Sequence, residues 1–194
     1  MSALEWLAPE GTWGVEGEGI RLRPPRRNDY QEWAELRSRS RAFLQPWEPT
    51  WPADDLTRTA FRRRLDAYAR ERAAGSAYRF LVFRSEDDRL VGGLSLSNVR
   101  RGVAQMATLG YWIGEPFANQ GHTTRAVNAA VRFSFKTLGL HRVEAACVPE
   151  NDRSRRVLEK AGFEHEGRAR AYLRIDGVWR DHLLFARVAE EPPR

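Results

Sequence analysis

The chain has 194 residues, a formal net charge of +6 and one cysteine, Cys147, so neither an intramolecular disulfide nor a cysteine-built metal cluster is available to it. With 42% apolar residues, seven Trp and nine Phe it can bury a core, which excludes wholesale disorder and suits one domain. No apolar run approaches membrane-spanning length, and the first residues carry Glu5 and Glu10 where a signal pattern would be basic and then apolar, so the expectation is a soluble cytoplasmic protein with no membrane partner.

Residues 1–19 read as an N-terminal arm, 20–188 as one domain and 189–194 as a tail. IRLRP (20–24) alternates and is stopped by two prolines, which predicts a short strand. Asn28 is placed to cap a helix running to about Arg41. FLQPWEPTWP (43–52) holds three prolines and two tryptophans, so neither regular helix nor central strand is expected there. It is either a lid on the core or one wall of a binding groove. An Arg-rich helical pattern follows from Asp54 to Ala74, and YRFLVFR (78–84), RLVGGLSLSNV (89–99) and MATLGYWIG (106–114) read as three antiparallel strands.

A helix is predicted from Thr123 to about Leu138, with Val127, Ala130, Val131, Ser134, Phe135 and Leu138 on one stripe and Gly139 to end it. HRVEAACV (141–148) reads as a strand, RSRRVLEKA as a short helix stopped by Gly162, and the closing segment as a hairpin turned at Asp176–Gly177. The order β-α-α-β-β-β-α-β-α-β-β, with a strand–helix–strand crossover at 106–148, predicts an α/β (α+β mixed sheet) fold. Its sheet is mostly antiparallel with one parallel strand pair and flanking helices.

FANQGHTTRA (117–126) carries the chemistry. The first N–H groups of the helix that follows have no intrahelical partner, and the helix dipole adds positive character there. Gly121 lets a bulky anion approach, Thr123 and Thr124 offer hydroxyls, and no carboxylate stands in the first turns. The spacing matches neither a Walker loop nor a dinucleotide-binding fingerprint. An anion site and a plain strand-to-helix turn are both compatible with this stretch alone. The second segment, VPENDRSRRVLEKAGF, puts Asn151 and Ser154 around another helix start, and capping accounts for part of that spacing. Two adjacent strands each followed by a helix leave a crevice at their C-terminal ends, with the glycine loop on one side and Asn151 and Ser154 on the other.

Together GYWIGEPFANQGHTTRA and HRVEAACVPENDRSRRVLEKAGFEHEG resemble the acetyl-CoA loop and following strand–helix of the GNAT-type N-acetyltransferases. LQPWEP, LSLSNVRRG and AYLRIDGVWRDHLLFA resemble the bacterial ribosomal-protein-alanine N-acetyltransferases of the RimJ/RimL type. The likeness covers about 20–188 and implies the GNAT fold with its parallel pair splayed. It makes the anion the pyrophosphate of coenzyme A, held by Asn119, Gln120, Gly121, His122, Thr123 and Thr124. The family's loop pattern, Q/R-x-x-G-x-G/A, is departed from at Ala118 and at Thr123.

The resemblance also implies an oxyanion-stabilising backbone N–H near a bulge around Ile113, a leaving-group role for the Ser154 hydroxyl, and Asn151 against the pantetheine arm. Ser154 as a helix-cap residue is the alternative. A base must take a proton from the incoming amine. Glu48, Glu115 and Glu144 are candidates, with Glu48 favoured because the aromatic loop should border the acceptor beside Trp47 and Tyr111. No acyl-enzyme on Cys147 and no metal are expected. The implied acceptor is the N-terminal α-amine, Ala or Ser, of a ribosomal protein. The alternatives are a small-molecule amine or a catalytically weak acyl-CoA-binding module. Direct sequence-specific nucleic-acid binding is not expected, and a homodimer is left open.

Overall fold

The computed structural model describes residues 14–190; the rest of the expected arm (1–13) and tail (191–194) lies outside them. Eight strands form one sheet in the order β1-β2-β3-β4-β5-β6-β8-β7. They are β1 (Val15–Gly17), β2 (Ile20–Arg23), β3 (Tyr78–Arg84), β4 (Leu90–Arg100), β5 (Met106–Ile113), β6 (Arg142–Cys147), β7 (Glu164–Ile175) and β8 (Val178–Val188). Five helices accompany it: α1 (Tyr30–Arg39), α2 (Arg41–Leu44), α3 (Arg58–Ala73), α4 (His122–Lys136) and α5 (Asp152–Lys160). The mostly antiparallel mixed sheet is as the sequence predicts, and β5–β6 is its parallel pair.

Phe80, Leu81, Val82 and Phe83 of β3 are all buried although successive side chains point to opposite faces, so both faces of the sheet are covered. On one face Phe133 of α4 meets Tyr78 and Phe80 edge-on. On the other, Arg23 lies over Phe83 and reaches Asp29 at the entry to α1. The stripe on α4 is buried at Val127, Ala130, Val131 and Ser134, with Leu138 following beyond its end. Asp176 and Gly177 both have positive φ, +43° and +81°, as the expected type I′ turn requires.

Three local expectations are corrected. Residues 15–17, placed in the arm, pair with β2 as an added edge strand. Asn28 does not cap α1; Asp29 stands at that N-cap, its carboxylate accepting the Arg26 N–H at 2.6 Å and both Arg23 guanidinium nitrogens at 2.7 Å. A carboxylate can hold the loop and neutralise a buried guanidinium at once, which an amide cannot. The proline-rich stretch is not wholly irregular: its first residues finish α2, and Gln45–Trp47 form a 3₁₀ turn with Pro46 at the start. A missing N–H costs nothing at that position.

The β5–β6 ladder determines where a site can form. It pairs Met106 with Arg142 and continues only to Leu109 with Ala145. Beyond that, Gly110–Ile113 stay bonded to β4, and Ala146 and Cys147 stay bonded to β8. The parallel strands therefore diverge over their last residues. The bulge expected near Ile113 is not a register shift, since β4–β5 pairing is regular from Ser97–Thr108 to Gly92–Ile113. Splaying from β6, and not bulging from β4, opens the sheet.

Candidate active site

A cavity of about 620 Å³ fills the gap between β5 and β6. Its lining runs from the start of α4 through the ends of both strands to the 43–49 loop and the β7–β8 hairpin. It includes Trp47, Glu48, Tyr111, Ile113, Asn119, Gly121, His122, Thr123, Thr124, Asn151 and Ser154, which brings together all but one of the site residues expected from sequence. The exception is Gln120. Its side chain folds back onto its own loop, donating to Pro116 O at 2.9 Å and bonding the His122 ring at 3.3 Å. It braces the loop instead of facing the cavity.

The loop is shaped for an anion. Gly121 is the N-cap of α4 at φ +79°, a conformation in which a side chain is strained. Asn119 also has a positive φ, +61°. The first turn of α4 carries no acidic residue. Buried His122 accepts from the Arg125 guanidinium at Nδ1, 2.8 Å away, so its neutral ring presents Nε2–H to Gln120. Burial and the Arg125 charge hold the imidazole below its ordinary range, which keeps it a neutral acceptor. Arg125 Nε is buried with no hydrogen-bond partner among the described residues, an unsatisfied donor beside the loop. Among the described residues, four cations (Arg153, Arg156, Lys160 and Arg174) and a single carboxylate, Glu48, line the cavity.

At the strand ends, Asn151 caps α5, its side-chain oxygen accepting the Ser154 N–H at 3.1 Å. Ser154 is therefore not the cap, and its hydroxyl is free for another partner. That partner is the Tyr111 phenol, 2.8 Å from Ser154 Oγ and 3.2 Å from Ser154 O. Burial raises the Tyr111 pKa, so the phenol stays protonated. When it donates to Oγ, the serine's own proton is left to point into the cavity. Cys147 lies beside them, and burial pushes its thiol up although the Ser154 hydroxyl opposes this. A protonated buried thiol is a poor nucleophile.

The carboxylates fall elsewhere than expected. Glu115 is exposed and outside the cavity lining, and Glu144 pairs with Arg142 at 3.0 Å on the far face of β6. Glu48 does line the cavity, but both its oxygens are engaged. Arg37 donates to each at 2.7 Å, and the Trp51 indole donates to Oε2 at 2.7 Å. The Arg37 guanidinium also lies 4.1 Å from the Trp51 ring centroid and 4.9 Å from that of Trp112. Glu48 is thus a clamp for the aromatic wall, and the geometry does not favour it as the base. Gly93 makes room for this stack, since a Cβ there would sit 2.3 Å from Trp112 Nε1. Arg37 and Trp51, which hold Glu48, and His182 of the cavity wall were not singled out from the sequence. An Arg and a Glu eleven residues apart carry no periodic signal, and His182 sits inside an ordinary strand pattern.

The acetyltransferase (GNAT) domain model matches residues 20–164. The chain belongs to the GNAT acetyltransferase family. It is an acyltransferase, and acetyl-CoA is the acyl donor of that family. The chain is 38% identical to the probable N-acetyltransferase YjcK of Bacillus subtilis (strain 168), over 89% of its own length and 95% of that protein. It is 37% identical to the [ribosomal protein uS5]-alanine N-acetyltransferase of Escherichia coli (strain K12), over 82% and 83% of the two chains. Among solved structures, Mycobacterium smegmatis RimJ in complex with CoA-disulfide superposes with a TM-score of 0.85 at 34% identity, covering 94% of this chain and 88% of that one. No helix among the described residues is long and apolar enough to cross a membrane.

Proposed function

We propose that this acetyltransferase modifies the N-terminal α-amine of a ribosomal protein beginning with Ala or Ser, in the cytoplasm. The observation that carries the reading is the continuous cavity through the β5–β6 gap, with an anion cradle at one end and an aromatic acceptor wall at the other. Its relatives include a [ribosomal protein uS5]-alanine N-acetyltransferase and a RimJ that holds coenzyme A.

Acetyl-CoA supplies the acetyl group as a thioester. The residues present fit it: backbone N–H groups from Asn119 to Thr124 and the Arg125 guanidinium receive the pyrophosphate, while Asn151 and Ser154 border the pantetheine arm. The departures at Ala118 and Thr123 leave these backbone donors in place. Ser154, oriented by Tyr111, hydrogen-bonds the leaving sulfur. Holding amine and thioester together supplies the entropic part of the rate enhancement.

The charge of the lining favours an acceptor with one reacting amine over a polyamine. Four cations repel polycations, and the one carboxylate is already paired with Arg37. The test is release of CoA thiol from acetyl-CoA by synthetic peptides beginning with Ala or Ser, against Nα-blocked peptides and small amines. Turnover confined to free N-termini supports the reading. Turnover of small amines alone redirects it to small-molecule acetylation. Binding of acetyl-CoA with no turnover of any amine would leave an acyl-CoA-binding module.

A further inference from the structure

We propose that His182 is the general base that takes the proton from the attacking amine. The inference rests on the α-amine reading above, but it comes from a different wall of the cavity. His182 lies on β8, is 2% exposed and lines the cavity. Leu183 stands opposite Cys147 across the β6–β8 ladder, so those two share a face. His182, one residue earlier, projects to the other face, away from the Ser154 side. The hairpin that carries it is fastened to the aromatic loop, where Asp176 N donates to Glu48 O at 2.9 Å.

The tautomer follows from one contact. Nδ1 lies 3.0 Å from Arg180 O. A carbonyl oxygen only accepts, so Nδ1 carries the hydrogen and the neutral ring keeps its lone pair on Nε2. Among the described residues Nε2 has no hydrogen-bond partner. Burial holds the imidazole below its ordinary range, against the opposing pull of the Arg180 carbonyl bond, so the ring is neutral at pH 7. Of the groups around it, the Tyr172 ring lies 5.6 Å away centroid to centroid, and β6 presents Ala146, Glu144 and Arg142 on that face, the last two paired with each other at 3.0 Å. Arg174 of β7 lines the same cavity. Arg180 is paired with Glu150, and Asp181 with Arg168.

Among the described residues, every other titratable group lining the cavity is spoken for. Glu48 is held by Arg37 and Trp51. Both His122 nitrogens are engaged. Tyr111 and Cys147 have raised pKa values and stay protonated. The arginines and Lys160 are cations.

The step balances as follows. An α-ammonium loses one proton to water. As its nitrogen bonds to the thioester carbon and grows acidic, Nε2 accepts the second proton. The C–S bond breaks with its electron pair going to sulfur, and the thiolate takes up one proton as the imidazolium returns one to solvent. A base this weak needs an amine already partly neutral at pH 7. About one α-amine in ten is, against about one Lys in 2,500. A neutral imidazole in place of a carboxylate therefore selects N-termini over lysines.

The test pairs kinetics with a readout that needs no turnover. His182→Asn keeps a donor for Arg180 O and lacks the base. Expected are acetyl-CoA binding within about 2-fold of wild type, and turnover lower by about 100-fold or more. The slope of log kcat/KM against pH on the acid side should fall from 2 to 1, because the amine alone still titrates. Added imidazole should rescue His182→Ala. Independently, nitrogen-15 imidazole spectra should show His182 neutral at pH 7 with bare Nε2. An Nε2–H tautomer at pH 7, or a His182→Asn enzyme with near-wild-type turnover and unchanged slope, overturns the proposal. If wild type acetylates no N-terminal peptide, the α-amine reading fails while the spectra still decide His182.

Discussion

The Arg37–Glu48 clamp separates a structural from a chemical role for the one carboxylate in the cavity. Replacing Glu48 by Gln removes the charge, keeps the shape and turns an amide N–H₂ toward a guanidinium that can only donate. Removing one partner of a buried ion pair costs about 3–5 kcal/mol. The side chains here are 10% and 20% exposed, so some solvent relief remains and the lower end applies, about 3 kcal/mol. For a domain of this size that lowers Tm by about 6–12 °C. The same variant should still bind acetyl-CoA with wild-type affinity, because the 119–124 loop does not touch the clamp. KM for the acceptor should rise as Trp47 and Trp51 loosen, while the acid limb of the pH profile stays in place. Differential scanning calorimetry and steady-state kinetics at several pH values measure all of this. A Glu48→Gln protein with unchanged Tm, turnover reduced by about 100-fold or more and a lost acid limb would refute the clamp and return Glu48 to the role of base.

Gly121→Glu should abolish acetyl-CoA binding in calorimetric titration; Gly121→Ala, whose Cβ would meet only the Arg125 guanidinium at 3.6 Å or more, should lose about 1–2 kcal/mol of stability from its φ of +79° and retain binding. Tyr111→Phe should slow turnover several-fold, and in a Ser154→Ala background it should have little further effect on kcat, since the phenol acts through the serine. Full additivity of the two would refute that coupling. Cys147→Ala should keep turnover within about 3-fold, with no acyl-enzyme accumulating in either protein. Stability should fall on acidification: His122 and His182 have folded pKa values below the unfolded one, near 6.5, so their contribution is present above that pH and is lost as pH drops through the folded values. Each such group costs about 1.4 kcal/mol per pH unit within its window, and denaturant melts between pH 7 and 5 will read the slope.

The parts of the fold that could be read from the sequence were local. The α4 stripe, the strand alternation and the Asp176–Gly177 turn each depend on residues a few positions apart, and all three match the structure. The Asn28 cap failed because two side chains compete for one loop, and the winner, Asp29, is decided by a guanidinium on the preceding strand. The extra strand at 15–17 has too few residues to show a period. It forms because β2 would otherwise leave its outer edge unpaired.

The same division runs through the site. At the cofactor end the glycine loop alone fits both an anion site and a plain turn, and what singles it out is the second segment around Asn151 and Ser154 together with the resemblance of both segments to the family. The acceptor end depends on which base is left unoccupied, and that is a property of contacts. Glu48 looks available until Arg37 and Trp51 are placed on it. His182 looks like packing until the Arg180 carbonyl, two residues back along the same strand, fixes which nitrogen holds the proton. The Tyr111–Ser154 bond joins residues 43 positions apart and exists only because β5 diverges from β6 after Leu109. Two backbone facts, a strand divergence and a carbonyl, thus decide the chemistry of side chains whose identities alone pointed to a different base. The strand divergence brings the Ser154 hydroxyl against the Tyr111 phenol at the cavity, where the proposed reading uses it as a donor toward the sulfur. The carbonyl turns His182 into an acceptor toward the amine, on the opposite face. The proposed transfer uses both at once, and both line the cavity that the opened sheet creates.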